Sequence, residues 1–285
     1  MPVGVLDVGS NTIRLLVARI ERGEIVVVDK DKVRLPLGEE IERFGAVSDL
    51  HVVSAAKAVR KLANRARLHS VESLDVFLTA PGRQSANAAE LVAALTTAAG
   101  TPVRVLTTDE EGRLAYGGAV ATAPIELPDR IAVCDVGGAS TEVAIGSPHG
   151  RPDWLESVDI GSVRLTTRVE SLEEARSETA AVFEHLDPPS VEAALAVGGS
   201  ARAARRLVGS HLGADELAEA LHIVAKESER AIVRRFGVDR ARARILPAGI
   251  VLLAQVQQLL GVPLHVCNGG IREGAVLEYA AARAA

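Results

Sequence analysis

A chain of 285 residues with a formal charge of −5, 48% hydrophobic and 24% charged, has material for a sizeable core and most simply two domains. The acidic balance and only 2% aromatic residues argue against a nucleic-acid binder, which would need a basic face and stacking platforms. No apolar run nears the roughly 20 residues that span a bilayer, and the N-terminus lacks a basic-then-apolar leader, so a cytoplasmic location with no membrane partner is expected. The two cysteines, Cys134 and Cys267, are expected as buried thiols rather than a disulfide or half a zinc site.

From the start, residues 3–6 read as a buried strand that delivers Asp7 into a turn of Gly9, Ser10, Asn11 and Thr12, and an apolar-rich strand leaves that turn. A glycine there lets backbone approach a ligand. The turn N–H groups and the Ser10 and Thr12 hydroxyls are donors for phosphate oxygens, and Asp7 can hold a hydrated cation. Taken alone, the stretch is equally an ordinary hairpin with a polar turn. Strands at 24–29 and 32–35 follow, an early antiparallel run of three. Residues 48–68 carry apolar side chains near the 3.6-residue period behind Ser48 or Asp49 as N-cap, and predict a long amphipathic helix. A strand at 74–78, a loop at 79–86, a helix at 87–99 and a strand at 103–106 come next. Thr107 or Thr108 then caps a helix whose first-turn acids, Glu110 and Glu111, suit its dipole.

The Pro-rich stretch after residue 120 has little helical pattern, and a linker at 123–128 is expected between a first domain of 1–122 and a second of 129–285. The second opens as the first does. VCDVGGASTEVAI around Asp135 repeats VLDVGSNTIRLLV around Asp7 at an offset of 128 residues, too long for a solenoid, which implies two similar domains. A strand at 154–158, a helix at 171–185, a short strand at 195–198, and helices at 200–207, 214–236 and 241–259 follow, the last bent or split at Pro247 and Gly249. A strand at 265–267 ends in Asn268-Gly269-Gly270 before a helix from residue 271.

Four strand ends thus carry Gly-rich turns, at 7–12, 135–141, 198–200 and 268–270. This arrangement resembles the actin-like ATPase superfamily of sugar kinases, Hsp70 chaperones and actin. The wording of six ordered motifs is similar to the Ppx/GppA family of exopolyphosphatases and guanosine pentaphosphate phosphohydrolases: DVGSNTIRL at Asp7, TAPGRQSANA at Thr79, TDEEGRLAYGG at Thr108, DVGGASTE at Asp135, AVGGSARA at Ala196 and NGGIREGAVLE at Asn268. The resemblance implies an α/β fold of two duplicated actin-like (ribonuclease H-like) domains with a cleft between them. It also implies hydrolysis of terminal phosphoanhydride bonds, of inorganic polyphosphate first and of guanosine pentaphosphate besides.

Such chemistry needs a cation to neutralise the phosphate chain, donors fixed around the phosphoryl group, and a base that orients water in line with the leaving oxygen. The resemblance assigns Asp7, Asp135 and Glu142 to a Mg²⁺ or Mn²⁺ site, and Gly9, Ser10, Asn11, Thr12, Gly137, Gly138, Ala139, Ser140, Gly199 and Ser200 to phosphate contact. Arg83 falls at an arginine that reaches phosphate, and Glu111 at the base. Adjacent helical residues stand about 100° apart, so only one of Glu110 and Glu111 can face a given site, and the helix alone does not say which. Glu142 is equally an exposed strand acid, Arg83 taken without the resemblance is a solvated loop cation, and Arg272 after Gly270 either reaches the cleft or caps a strand end. Two departures from the family's wording stand out. Ala139 replaces a usual third glycine, which requires a negative φ there, and the run 79–82 before Arg83 differs. The chain stops at residue 285, short of the HD-type helical region of long members, so a short form favouring shorter polyphosphate or another phosphoanhydride is expected, with a homodimer through an apolar helix of the second domain.

Two other readings stay open on sequence. A kinase or ATPase of the same superfamily would grip a nucleotide at 198–200 and form ADP with a sugar or acid acceptor. A phosphate or alarmone sensor would bind its ligand and release no phosphate with Mg²⁺ or Mn²⁺.

Overall fold

The structure, a computed structural model, describes residues 1–284. The chain divides into two compact units, one of residues 1–121 with 271–284 and one of residues 122–270. In the first, the N-terminal apolar run forms β1 (Val3–Val8), followed by β2 (Thr12–Glu21) and β3 (Glu24–Arg34). Then come α1 (Leu37–Phe44), α2 (Asp49–Arg67), β4 (Ser73–Leu78), α3 (Ala80–Gln84), α4 (Ala88–Ala99), β5 (Val103–Val105) and α5 (Thr108–Val120). The sheet order is β3-β2-β1-β4-β5, with β1 antiparallel to β2 and parallel to β4. Strand alternation sends Leu6, Val8 and Leu15 to one face, where they pack with Val59 and Leu62 of α2 and Leu91 and Leu95 of α4.

The second unit holds β6 (Ile131–Val136), β7 (Thr141–Gly146), β8 (Pro152–Val158), α6 (Ser162–Arg168), α7 (Leu172–Phe183), β9 (Ala193–Val197) and α8 (Gly198–Val208). It continues with β10 (His211–Leu212), α9 (Ala214–Lys226), α10 (Glu229–Phe236), α11 (Arg240–Leu260) and β11 (Leu264–Val266). Its sheet order, β10-β11-β9-β6-β7-β8, contains the first sheet strand for strand with the same directions. The repeated hairpin is therefore the visible part of a duplicated sheet, and the fold is the expected pair of actin-like α/β domains.

Tertiary packing changes several expected elements. β3 runs unbroken, tied to α2 where Arg65 donates to both Asp29 oxygens at 2.7 and 2.9 Å and His69 meets Asp29 at 2.8 Å. The Arg65 guanidinium holds the Asp29 carboxyl well below the usual carboxylate range. Residues 80–84, expected as loop, close into α3 with Pro81 in its first turn. The helix expected over 214–236 breaks at 227–228, where Ser228 caps α10. α11 is not split: Pro247 lies inside a continuous helix whose Leu246, Ile250, Leu252 and Leu253 are buried, and this packing outweighs an interior proline's cost of about 3 kcal/mol. α11 is also the one helix, among the described residues, long and apolar enough to cross a membrane, and most of that stretch is buried in the second unit.

The expected second domain of 129–285 ends too late. The last helix, α12 (Ile271–Ala284), belongs to the first unit, where Ala275 and Val276 pack among Val3, Val5, Leu16, Phe77 and Leu114 on the sheet face away from α2 and α4. Gly274 permits this, because a Cβ there would overlap the Leu114 backbone of α5. Cys134 and Cys267 are buried free thiols, and burial pushes the Cys267 thiol up to about 12.

Candidate functional site

The first hairpin turn is pinned from below. Gly9 N–H donates to Thr12 C=O at 3.2 Å, and the carbonyls of Ser10 and Asn11 accept from Gly38 at 2.7 Å and Leu35 at 3.3 Å. The start of α1 thus lies against the turn; a Cβ on Gly38 would come 2.7 Å from Ser10 Cβ. With the carbonyls engaged, the N–H groups of Ser10 and Asn11 are not used in these bonds. The Ser10 and Thr12 side chains are buried.

The second turn repeats the device. Gly137 N–H donates to Ser140 C=O at 3.0 Å; Gly137 C=O accepts from Ser162 N–H and Oγ–H, each at 3.0 Å, and Gly138 C=O accepts from Val163 at 2.8 Å and Arg164 at 3.0 Å. The donors at the start of α6 are spent on the turn's carbonyls, which leaves the N–H groups of Gly138 and Ala139 outside these bonds. Ala139 meets its condition: among the described residues, Arg22 and Ser70 are the non-glycines at positive φ. Ser140 is buried.

The two hairpins differ in what faces the acid. In the first, Asp7 is directly opposite Arg14; in the second, Asp135 is directly opposite Glu142. Directly opposed residues share a sheet face, so the second unit concentrates two buried carboxylates, 9% and 2% exposed, with Ser157 Oγ–H donating to Glu142 at 3.0 Å. Glu142 is therefore not the exposed strand acid that sequence allowed. The turn after β9 closes over Asp135. Gly198, at φ +87°, stands where a Cβ would overlap the Asp135 carboxylate, so only glycine leaves that carboxylate its space. These oxygen donors suit a hard cation. Among the described residues no three His, Cys, Asp or Glu side chains form a metal-binding group, so a cation here would draw its remaining ligands from water and substrate, as Mg²⁺ commonly does.

Two expected phosphate residues part company in the next turn. Gly199 is covered by the Arg242 guanidinium from the first turn of α11, close enough that a Cβ would overlap it. Ser200 is 1% exposed, its hydroxyl is buried without a hydrogen-bond partner, and it lies against Gly249 of α11 rather than toward solvent. Sequence reasoning missed Arg242, since the run RARAR gives no sign of which arginine meets the turn. In the last turn, Asn268 accepts from Arg205 at 3.1 Å and Gly269 N–H donates to Thr122 Oγ at 2.9 Å, while Arg272 stands in the first turn of α12.

The structure separates the two glutamates of α5. Thr107 and Glu110 form a reciprocal capping box: Thr107 Oγ accepts from Glu110 N–H at 3.1 Å and Glu110 accepts from Thr107 N–H at 2.8 Å, which holds the Glu110 carboxyl below its ordinary range. Glu111 instead points inward, 6% exposed, and accepts from Arg83 Nη1 at 2.8 Å. The same Nη1 donates to Leu106 C=O at 2.7 Å, and Arg83 Nη2 is buried with no partner. Arg83 reaches this place because α3 lies tight on β5: a Cβ on Gly82 would stand 2.8 Å from Val105. The unusual wording of residues 79–82 thus serves a close helix–strand approach.

Residues 16–212 match the sequence model of the Ppx/GppA phosphatase family. A Haemophilus influenzae protein named "Putative exopolyphosphatase" is 22% identical over 96% of this chain and 90% of its own. The Ppx/GppA family member of Aquifex aeolicus superposes with a TM-score of 0.82 at 21% identity, covering 99% of this chain and 98% of that one. A crystal structure of an exopolyphosphatase from Cytophaga hutchinsonii does so with a TM-score of 0.89 at 18% identity over the same shares.

Proposed function

Since the chain belongs to the Ppx/GppA phosphatase family, we propose that it is an exopolyphosphatase, a hydrolase that releases the terminal phosphate of inorganic polyphosphate. The observation that carries this reading is Glu111, a carboxylate buried in the first turn of α5 and held at 2.8 Å by Arg83, while its neighbour Glu110 is spent on the helix cap. A carboxylate so placed can take a proton from water and is protected from competing solvent.

In the reaction, water oxygen bonds to the terminal phosphorus as the bond to the bridging oxygen breaks. Glu111 accepts the water proton, and the electron pair of the broken bond leaves with the chain, now one phosphate shorter. Each unit has a turn of this kind, with the N–H groups of Ser10 and Asn11 in the first and those of Gly138 and Ala139 in the second able to donate to a phosphate oxygen; α1 and α6 already stiffen these turns, so little reorganisation is needed. Arg83 keeps the Glu111 carboxylate in place. Arg242 adds a cation beside Gly199. Asp135 and Glu142 would hold Mg²⁺ or Mn²⁺, which when bound neutralises phosphate charge. Asp7, opposite Arg14, is the duplicated acid, and the cation facing it makes it the poorer metal ligand of the pair.

The test is phosphate release from tripolyphosphate, long-chain polyphosphate, guanosine pentaphosphate and ATP, each with and without Mg²⁺ or Mn²⁺. Metal-dependent release from polyphosphate is expected, with Glu111→Gln slower by about 10²–10⁴-fold and still able to bind tripolyphosphate. Near-normal turnover by that variant sinks the assignment of the base.

A further inference from the structure

The end of β4 carries a threonine whose hydroxyl has no structural task. Thr79 occupies the N-cap position of α3, yet its side chain makes no capping bond, whereas Ser48, Thr107, Ser171, Ser228 and Asp239 each cap their helices. Its backbone is engaged: Thr79 N–H donates to Val8 C=O at 3.2 Å and its C=O accepts from Gly82 N–H at 2.9 Å. The residue is only 5% exposed.

The hydroxyl is directed at the first turn. Thr79 Oγ lies 3.8 Å from the point where a Cβ on Gly9 would stand, and Asp7 Oδ1 lies 3.8 Å from the same point. The hydroxyl has no capping bond to give up and is not among the sealed, unpartnered side-chain atoms, so it can donate to a ligand that enters here. The bare face of Gly9 keeps open the small space between Asp7 and Thr79 where that can happen.

The duplication supports a role at this position. Asp7 pairs with Phe77 and Asp135 with Val197, so two residues further along each strand Thr79 is the counterpart of Gly199. At Gly199 the missing side chain is made good by the Arg242 guanidinium. Both units therefore place a donor group over the same backbone position, a hydroxyl in one and an arginine in the other.

We propose that Thr79 is a ligand-contacting residue whose Oγ–H donates to a phosphate oxygen held by the N–H groups of Ser10 and Asn11 in the first turn. This rests on the phosphoanhydride reading above. Thr79→Val keeps the shape and removes the donor, and Thr79→Ser keeps the donor. Two measurements are made on each protein: tripolyphosphate binding by calorimetry with Mg²⁺ present, and kcat/KM for phosphate release. Thr79→Val is expected to weaken both roughly tenfold to a hundredfold, the range for a hydrogen bond to a charged group, while Thr79→Ser stays close to wild type. The urea midpoint of Thr79→Val should not fall, because no cap is lost. Wild-type binding and turnover in Thr79→Val overturn the inference, as does a midpoint lowered as by a lost helix cap. Wild-type protein that binds tripolyphosphate without releasing phosphate from any substrate overturns the hydrolase reading instead, and the binding comparison still decides Thr79.

Discussion

Replacing Arg83 by Met keeps a long unbranched stem and removes one buried cation. The Arg83 and Glu111 side chains are 19% and 8% exposed and meet at 2.8 Å. Opposite unit charges at that separation attract by about 6 kcal/mol at an effective dielectric of about 20. Desolvation of both groups offsets part of that attraction, but the variant cannot recover what Glu111 lost on burial. Removing one partner of a buried pair costs about 3–5 kcal/mol, and the bond to Leu106 C=O adds about 1 kcal/mol. Arg83→Met should therefore lose about 4 kcal/mol at neutral pH, a large share of the ~5–15 kcal/mol that holds most domains together. Glu111→Gln in the same background should return about half, because a neutral amide tolerates the site better than a carboxylate. Urea unfolding of the wild type, the two single variants and the double variant gives the coupling directly. A loss under about 1 kcal/mol, or the same loss with and without Glu111, would mean that the pair behaves as a solvated surface bridge and that Arg83 does not hold the base.

Glu110 tests the cap. Its folded carboxyl is held low, first by Thr107 N–H, so its contribution is present above the ordinary glutamate range and lost as pH falls through the lowered folded value. Glu110→Gln should cost about 1 kcal/mol at neutral pH and remove that acid-side decline from the urea midpoint, with turnover little changed. Gly198→Ala must place a Cβ at φ +87° and against the Asp135 carboxylate, which should cost about 1–2 kcal/mol in backbone strain and weaken Mn²⁺ binding by about tenfold or more in calorimetry. Unaltered Mn²⁺ affinity in that variant would remove Asp135 from the proposed metal site.

The repeated wording around Asp7 and Asp135 announced a duplication, because a buried strand, an acid and a glycine turn impose the same residue types wherever they recur. It could not show that the duplication extends to the whole sheet. The strands that complete each sheet share direction and order but not wording, since an apolar strand core accepts many sequences. Nor could the local pattern place α12. Its amphipathic period says that one face is buried and nothing about which sheet buries it, and the deciding contact, Gly274 against Leu114, joins residues 160 positions apart.

The sequence by itself determined the α/β class, the two-domain plan, the hairpin turns and the family, because these rest on periodicity and on short motifs whose neighbours lie a few residues away. The tertiary structure alone decided what individual side chains meet. Glu110 and Glu111 are the same residue type in the same helical turn, and only the Thr107 cap on one side and Arg83 on the other tell them apart. Ser200 has the wording of a ligand residue, yet α11 covers its hydroxyl, while Thr79 and Arg242, unremarkable as letters, are brought to the turns by strand register and helix packing. A side chain's chemistry is local, but what it can reach is set by which distant element lies across from it.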